Sequence, residues 1–322
     1  MPNPEEVAKE VAVAASRIGS HVRRTPVDRS AWLSALGGAE VSCKLENLQH
    51  TGAFKVRGAL NKMLSLSSEQ LSRGVVTAST GNHGAAVAFG ANKTGASGIV
   101  YMPGGTPAAK VEAIEALGAE VRFAGTDCVD AEGAARAFGE AEGVTYISPY
   151  NDPLVVAGQG TIAFELAEQL DRIDVVLVAL GGGGLISGIA AYLKSVRPAV
   201  RVVGCSPANS KVMIDSVRAG RILDLPSLPT LSEGTAGGVE GGAITFDLCS
   251  ALVDEFVTVT EEEIADSLCL FMKYHHMLIE GAAAVPLAAY TKARSRWPGQ
   301  SVAIIICGAN IPLETLKKIL NR

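Results

Sequence analysis

One lysine stands beside an aromatic ring and between glycines, in Thr51-Gly52-Ala53-Phe54-Lys55-Val56-Arg57-Gly58. A primary amine held out of water has a lowered pKa and becomes a nucleophile toward carbonyls or a base toward carbon acids. A lysine in bulk solvent does neither, and by residue type alone most lysines are solvated surface charges. Four successive glycines, Gly181-Gly182-Gly183-Gly184, follow an apolar run and precede a helix-length segment. Such a turn lets backbone N–H groups converge on an anion, and the helix start adds positive potential, so a phosphate is its natural guest. The alternative is a tight strand-to-helix turn without a ligand, which four glycines make costly in backbone entropy. The spacing excludes a dinucleotide fingerprint, because Ile186 stands where the third glycine belongs, and no P-loop Lys-Ser/Thr follows.

Ser79-Thr80-Gly81-Asn82-His83 lies in the same setting, at the end of an apolar strand and before a helix. Its hydroxyls and N–H groups suit a carboxylate; equally, Asn82 or Thr80 could simply cap the helix. Cys307-Gly308-Ala309-Asn310 closes another apolar strand, where a cysteine is either a small core residue or a group facing a ligand. Glu280-Gly281 opens an alanine-rich helix, where an acid complements the helix dipole.

The elements that must carry these segments alternate. Strands are expected at 75–78, 98–102, 120–124 and 144–147, with helices at 82–93, 107–117 and 127–140 between them. A second series holds strands at 174–180, 201–205, 255–259 and 302–307, and helices at 156–170, 186–195, 261–274, 280–291 and 312–320. Short apolar runs alternating with helix-length segments imply parallel sheets with crossover helices. Thr260 and Glu263 have the spacing of a capping box at the head of the 261 helix. The Pro, Gly, Ser and Thr-rich stretch 223–242 reads as a long functional loop, since structured segments flank it closely. Two α/β sheets with a cleft between them follow, and ligands in such sheets favour the carboxyl ends of strands.

Composition narrows the classes. The 322 residues are 48% hydrophobic and 19% charged, enough for two α/β domains with a real core. A net charge of −5 without basic runs gives no footprint for nucleic acid or an anionic membrane. No apolar run reaches membrane-span length, and the acidic, proline-broken start is not a signal peptide. Six cysteines without C-x-x-C spacing argue against a disulfide framework or structural zinc, so a soluble cytoplasmic protein is expected.

Taken in order, Phe54-Lys55-Val56-Arg57-Gly58, Ser79-Thr80-Gly81-Asn82-His83, the four glycines and Cys307-Gly308-Ala309-Asn310 resemble the fold type II pyridoxal-phosphate enzymes. Within these the chain is most similar to the serine/threonine dehydratase and serine racemase group. The resemblance runs from Arg24-Thr25-Pro26 to the last helix and includes Lys44-Leu45-Glu46-Asn47 and Ala157-Gly158-Gln159-Gly160-Thr161. It implies a tryptophan synthase β-like, two-domain α/β fold: a large domain of residues 1–66 and 149–322, and a small inserted domain of residues 67–148. It implies pyridoxal 5′-phosphate as cofactor, an amino-acid substrate and a homodimer. Lys55 would hold the cofactor as an imine and, once freed, act as base at Cα. Phe54 would lie against the pyridine ring, Asn82 would reach its phenolic oxygen, and Gly181–Gly184 with Leu185 would hold the phosphate. Glu280 and Cys307 would border the ring, Cys307 facing its nitrogen. Ser79, Thr80 and His83 would grip the substrate carboxylate, with Tyr150 and Gly234 beside the substrate.

A neutral thiol cannot hold the ring nitrogen protonated as an aspartate would, which favours prompt loss of a β-substituent. The expected reaction is α,β-elimination of water from a β-hydroxy amino acid, giving a 2-oxo acid and ammonia. The alternative on the same scaffold is amino-acid racemisation, with Thr80 as second acid/base in the place where serine racemases carry serine. Ser206 and Val212 stand where metal-binding relatives place two carboxylates, so no divalent-metal site is expected there. Tyr150, in place of the racemases' asparagine, and the loop Ser232–Gly238 differ from serine- and threonine-specific patterns. In this the chain is similar to the hydroxyectoine-utilisation dehydratase branch.

Overall fold

The computed structural model describes residues 3–322. Ten strands form two sheets. The larger has the order β1-β2-β10-β7-β8-β9. Its members are β1 (Val27–Arg29), β2 (Glu40–Leu45), β7 (Val175–Ala179), β8 (Arg201–Pro207), β9 (Glu255–Val259) and β10 (Ser301–Ile306). Only β1 runs antiparallel, against β2; the remaining pairs are parallel. The smaller sheet has the order β5-β4-β3-β6 and is parallel throughout. It contains β3 (Val75–Ala78), β4 (Gly98–Met102), β5 (Glu120–Phe123) and β6 (Thr145–Tyr146).

Parallel sheets carry their crossover helices on both faces, which is why β7 and, after Ser301, β10 are apolar runs, buried at every position. The main core surrounds these strands and the helix Gly281–Ala293. A second core, holding Val56, Ala59, Met63, Val75, Val87 and Ile147, seats the helix Val56–Leu64 against the small sheet. That helix therefore packs between the two halves of the molecule.

Strand order places the chemistry. From β7 the chain moves to β8 and β9 on one side, while β10 flanks β7 on the other. From β3 it moves to β4 and β5, while β6 lies on the opposite flank. Each sheet thus has a switch point at which neighbouring loops part, leaving a crevice at the carboxyl ends of the strands. The glycine run and Cys307 leave the large sheet at one switch point; Ser79–Asn82 and Ile147–Tyr150 leave the small sheet at the other.

Of the expected elements, 75–78, 98–102 and 255–259 match observed strands residue for residue. The Thr260/Glu263 capping box is present. The helix expected from 156 begins at Pro153, with Asp152 accepting hydrogen bonds from Leu154 and Val155 N–H. Asp-Pro at a cap and first turn is a start signal that the apolar pattern obscured. The stretch 223–242 is irregular apart from the short turn Glu233–Thr235. Helices Val212–Ala219 and Ile244–Leu252, which flank it, were not expected.

Candidate active site

Residues 52–54 dock antiparallel across the end of β10: Phe54 N–H donates to Cys307 O (3.0 Å) and Ala309 N–H to Gly52 O (2.8 Å). Gly52 needs its positive φ of 72°, and a Cβ there would meet the Asn310 side chain at 2.9 Å. The chain then enters the helix Val56–Leu64 with Lys55 as its N-cap. Contrary to the residue-type expectation of a solvated charge, the Lys55 side chain is half-buried in the cleft. Nζ donates to Pro149 O at 2.9 Å and lies 5.3 Å from the centre of the Phe54 ring. Burial lowers its pKa to about 8, with Cys307 and Glu280 only partly opposing that effect.

The glycine run is dictated by its neighbours. A Cβ at Gly181 would lie 2.8 Å from Thr235 Cα, one at Gly182 2.6 Å from the Tyr150 ring, and one at Gly184 2.9 Å from Tyr150 Cβ. Gly183 takes φ +87° as the N-cap of the helix Gly184–Val196 and offers no side-chain cap. Leu185 follows, buried in that helix's first turn. The side chain of Tyr150 runs past this turn, and its hydroxyl accepts from Glu240 N–H at 3.0 Å. A cradle too tight for any side chain, at an uncapped helix start, fits a phosphate.

On the facing wall, neither Thr80 nor Asn82 caps the helix Asn82–Thr94; Gly81 is its N-cap and makes no side-chain bond. Asn82 Nδ2 instead donates to both Glu280 oxygens at 2.9 Å, and its Oδ1 accepts from Asn310 Nδ2 at 2.7 Å. Asn310 N–H donates to Glu280 as well (3.1 Å), and Cys307 Sγ lies 3.9 Å from the same carboxyl group. Glu280 is therefore more than a dipole partner for its helix, where it makes no capping bond. Burial raises its pKa to about 7 against the pull of Asn82, Asn310 and Lys55. The Cys307 thiol is pushed well above its ordinary value by burial and by Glu280, so it stays neutral.

Ser79 Oγ accepts from Gly81 N–H at 3.2 Å, while Thr80 is half-buried in the same loop. His83 is placed differently from an open carboxylate ligand. Its side chain is buried, Nε2 is bound to Ile147 O at 2.9 Å, and burial holds the ring near a pKa of about 3, hence neutral. It fastens the Ser79–Asn82 loop to the exit of β6 from behind. Gly234 is exposed on its loop, and a Cβ there would sit 3.5 Å from the Glu280 carboxyl. Ion pairs Lys110–Glu233 (3.5 Å) and Arg136–Glu240 (2.7 Å) tie this loop to helices of the small sheet. Pro149, Thr235 and Glu240 were not among the expected site residues, and each acts through main-chain or long-range contacts that leave no local pattern; Asn310 stood in the Cys307–Asn310 segment without a role of its own.

At the position expected for metal carboxylates, the Ser206 hydroxyl donates to Leu180 O (2.7 Å) and Val212 is buried in the core. Among the described residues no helix is long and apolar enough to cross a membrane.

Residues 18–308 match the family described as pyridoxal-phosphate dependent enzyme. An L-threonine ammonia-lyase of Thermotoga maritima is 41% identical over 314 residues, covering 98% of this chain and 78% of that protein. The processed form of threonine deaminase isoform 2 from Solanum lycopersicum superposes with a TM-score of 0.94 at 30% identity, covering 99% of this chain and 94% of that one. A maize serine racemase gives a TM-score of 0.91 at 33% identity, with 98% and 96% covered. An amine in the cleft, a glycine cradle and a neutral thiol at the meeting of two switch points are a donor set that fits this cofactor. The chain belongs to the pyridoxal-phosphate dependent enzymes, in the fold type II group of serine/threonine dehydratases and serine racemases, and its cofactor is pyridoxal 5′-phosphate.

Proposed function

We propose that this ammonia-lyase removes water across Cα and Cβ of a β-hydroxy amino acid of the threonine type, releasing a 2-oxo acid and ammonia. The observation that carries the reading is Lys55: an amine inside the cleft with a pKa of about 8. At pH 7 such an amine is neutral in roughly one molecule in ten, against roughly one in several thousand at the ordinary value. The bound cofactor supplies an electron sink for charge developing at the substrate's Cα.

Lys55 Nζ accepts the Cα proton, and the Cβ–O bond breaks as the hydroxyl takes up one proton and leaves as water, so the proton lost at Cα balances the one gained at the leaving oxygen. The released enamine tautomerises and is hydrolysed, consuming one water, to the 2-oxo acid and ammonium. Gly181–Gly184 and the N–H of Leu185 would hold the phosphate, Phe54 would lie against the ring, and Asn82, once its amide turns from Glu280, would serve the phenolic oxygen. Cys307 and Glu280 would border the ring; a neutral thiol there would make the sink moderate, which would favour elimination over slower side reactions. Ser79, Thr80 and the main chain at His83 receive the substrate carboxylate, while Tyr150 and Gly234 bound its side chain. The threonine ammonia-lyase of T. maritima and the tomato threonine deaminase support this choice over racemisation. We also assign residues 1–66 and 149–322 to a large domain and 67–148 to a small one, and expect a homodimer in the cytoplasm.

A panel of threonine, serine and hydroxyectoine-derived β-hydroxy amino acids, assayed for 2-oxo acid and ammonia, tests the substrate class. Threonine turnover with unchanged chirality of recovered substrate is expected. Lys55→Ala should abolish the visible absorbance of the loaded protein and lower turnover by about 10³-fold or more. Full turnover in that variant overturns the assignment.

A further inference from the structure

Three stretches remain outside this chemistry: Lys44-Leu45-Glu46-Asn47, Arg57, and the run 157–161. The structure brings them together beneath the start of the helix Val56–Leu64. Arg57 is fully buried, and its guanidinium forks onto two carboxylates. Nε and one terminal nitrogen each donate to Glu46 at 2.8 Å; the two terminal nitrogens donate to Glu165 at 2.7 and 3.1 Å. Thr161 Oγ1 (3.1 Å) and Arg23 O (3.2 Å) complete its shell. Lys44 Nζ reaches the same Glu165, Gln169 Oε1 (2.9 Å) and Thr25 O (2.8 Å). Two positive and two negative side chains thus form a neutral buried quartet drawn from β2, the turn after it, and two helices.

Beside the quartet, the helix start has an unusual cap. Lys55 holds the N-cap position with helical φ/ψ and makes no side-chain capping bond. The N–H of Gly58, three residues on, is met instead by Gln159 Oε1 of the helix Pro153–Gln169, at 3.2 Å. The two helices touch backbone to backbone: a Cβ at Gly158 would lie 2.6 Å from Arg57 O and 2.7 Å from Gly58 Cα.

We infer that Arg57, with its quartet, and Gln159 are positioning residues for Lys55: they fix the axial position and rotation of the helix start, and so the root of the reactive lysine. Guanidinium–carboxylate forks are directional, so two of them leave little rotational freedom to the residue that bears them. Glycine-to-glycine contact removes the slack along the axis. The borrowed cap releases the N-cap side chain from its usual duty, leaving its amine free for the cleft. Four carbons separate that amine from the main chain, and a loose root would let it reach solvent. A buried ion quartet adds little to net stability over an apolar core, so direction is what this one contributes.

The inference rests on the reading of Lys55 as the cofactor lysine. Its test uses Gln159→Met, which keeps volume and loses the acceptor, and Arg57→Lys, which keeps charge and loses the forks. Ile319→Ala, at a buried position far along the chain, serves as a control for destabilisation alone. In cofactor-free protein, reductive methylation of Lys55 is followed against pH by peptide mass spectrometry. The rate at which the visible band forms on mixing with pyridoxal 5′-phosphate is recorded alongside. In both positioning variants the Lys55 midpoint should rise by about one pH unit, a tenfold fall in neutral amine at pH 7, with band formation slowed about tenfold. Ile319→Ala should lower melting temperature without moving either quantity. A folded Gln159→Met protein that matches the parent in both readouts overturns the proposal, whether or not Arg57→Lys folds. Failure of the underlying reading looks different: the band would form undiminished in Lys55→Ala.

Discussion

Lys55 and Arg57 lie two residues apart and both lose water on folding, yet only Arg57 is surrounded by counter-charge. Around Arg57, burial works against the charged forms of Arg57 and Glu46, but the opposite charges outweigh it. Glu46 is held below the usual carboxylate range and Arg57 above its ordinary value. Around Lys55 the balance reverses. Its nearest acceptor is a main-chain carbonyl, and the nearby acid, Glu280, is itself held by neutral amides. Burial wins there, moving the lysine down to about 8 and the glutamate up to about 7. Full pairing keeps charges fixed and makes a scaffold; incomplete pairing leaves protons mobile near neutral pH and makes a reaction site.

The contrast can be broken most severely at the quartet. Glu46→Gln leaves Arg57 with one carboxylate instead of two, and unfolding in urea should show a loss of about 3–5 kcal/mol. A loss comparable to that of a surface pair would mean that the quartet is not holding the helix.

At the site the sign is opposite. Folded Lys55 binds fewer protons than unfolded Lys55 between pH ~8 and ~10.4, so its cost is complete below that window and gone above it. Lys55→Met should therefore stabilise cofactor-free protein at pH 7 by on the order of 1–3 kcal/mol, with the gain vanishing toward pH 10.5. A variant less stable than the parent at pH 7 would show that the amine is better compensated than its contacts indicate.

Glu280 gives the smallest and mirror-image effect. Its raised pKa means that folded protein binds more protons than unfolded between pH ~4.5 and ~7, so the cost is absent below the window and complete above it. Glu280→Gln should stabilise by about 1–2 kcal/mol at pH 8 and by nothing at pH 4, read from paired melting curves. An equal gain at both pH values would assign the effect to packing rather than to charge.

Much of this architecture was readable from pattern. The strands β3, β4 and β9 end on an apolar residue followed by Ser79, Pro103 and Thr260, and their limits follow directly. The helix beginning at Pro153 was placed late because its first turn is as apolar as its middle, and only Asp152 marks the true start. Lys55, Asn82, the glycine run and Cys307 were legible as an ordered set of motifs. Their burial was not, since a lysine's type argues for solvent and only the fold removes it. The quartet was illegible for a different reason. Glu165 sits 108 residues from Arg57 and 121 from Lys44, and nothing local distinguishes it from the exposed Glu168 one turn later. His83 reads as a ligand from its motif, yet a carbonyl 64 residues away takes its ring.

The resting place of the reactive amine is a carbonyl oxygen of the polypeptide itself, at Pro149. No single substitution at residue 149 can delete that oxygen, because every amino acid brings one. Its neighbour Tyr150 is under no such protection, and it is the residue that lies along the turn of Gly182 and Gly184. A lineage could thus explore new side chains at 150, and with them new substrates, while the lysine one step away keeps its berth.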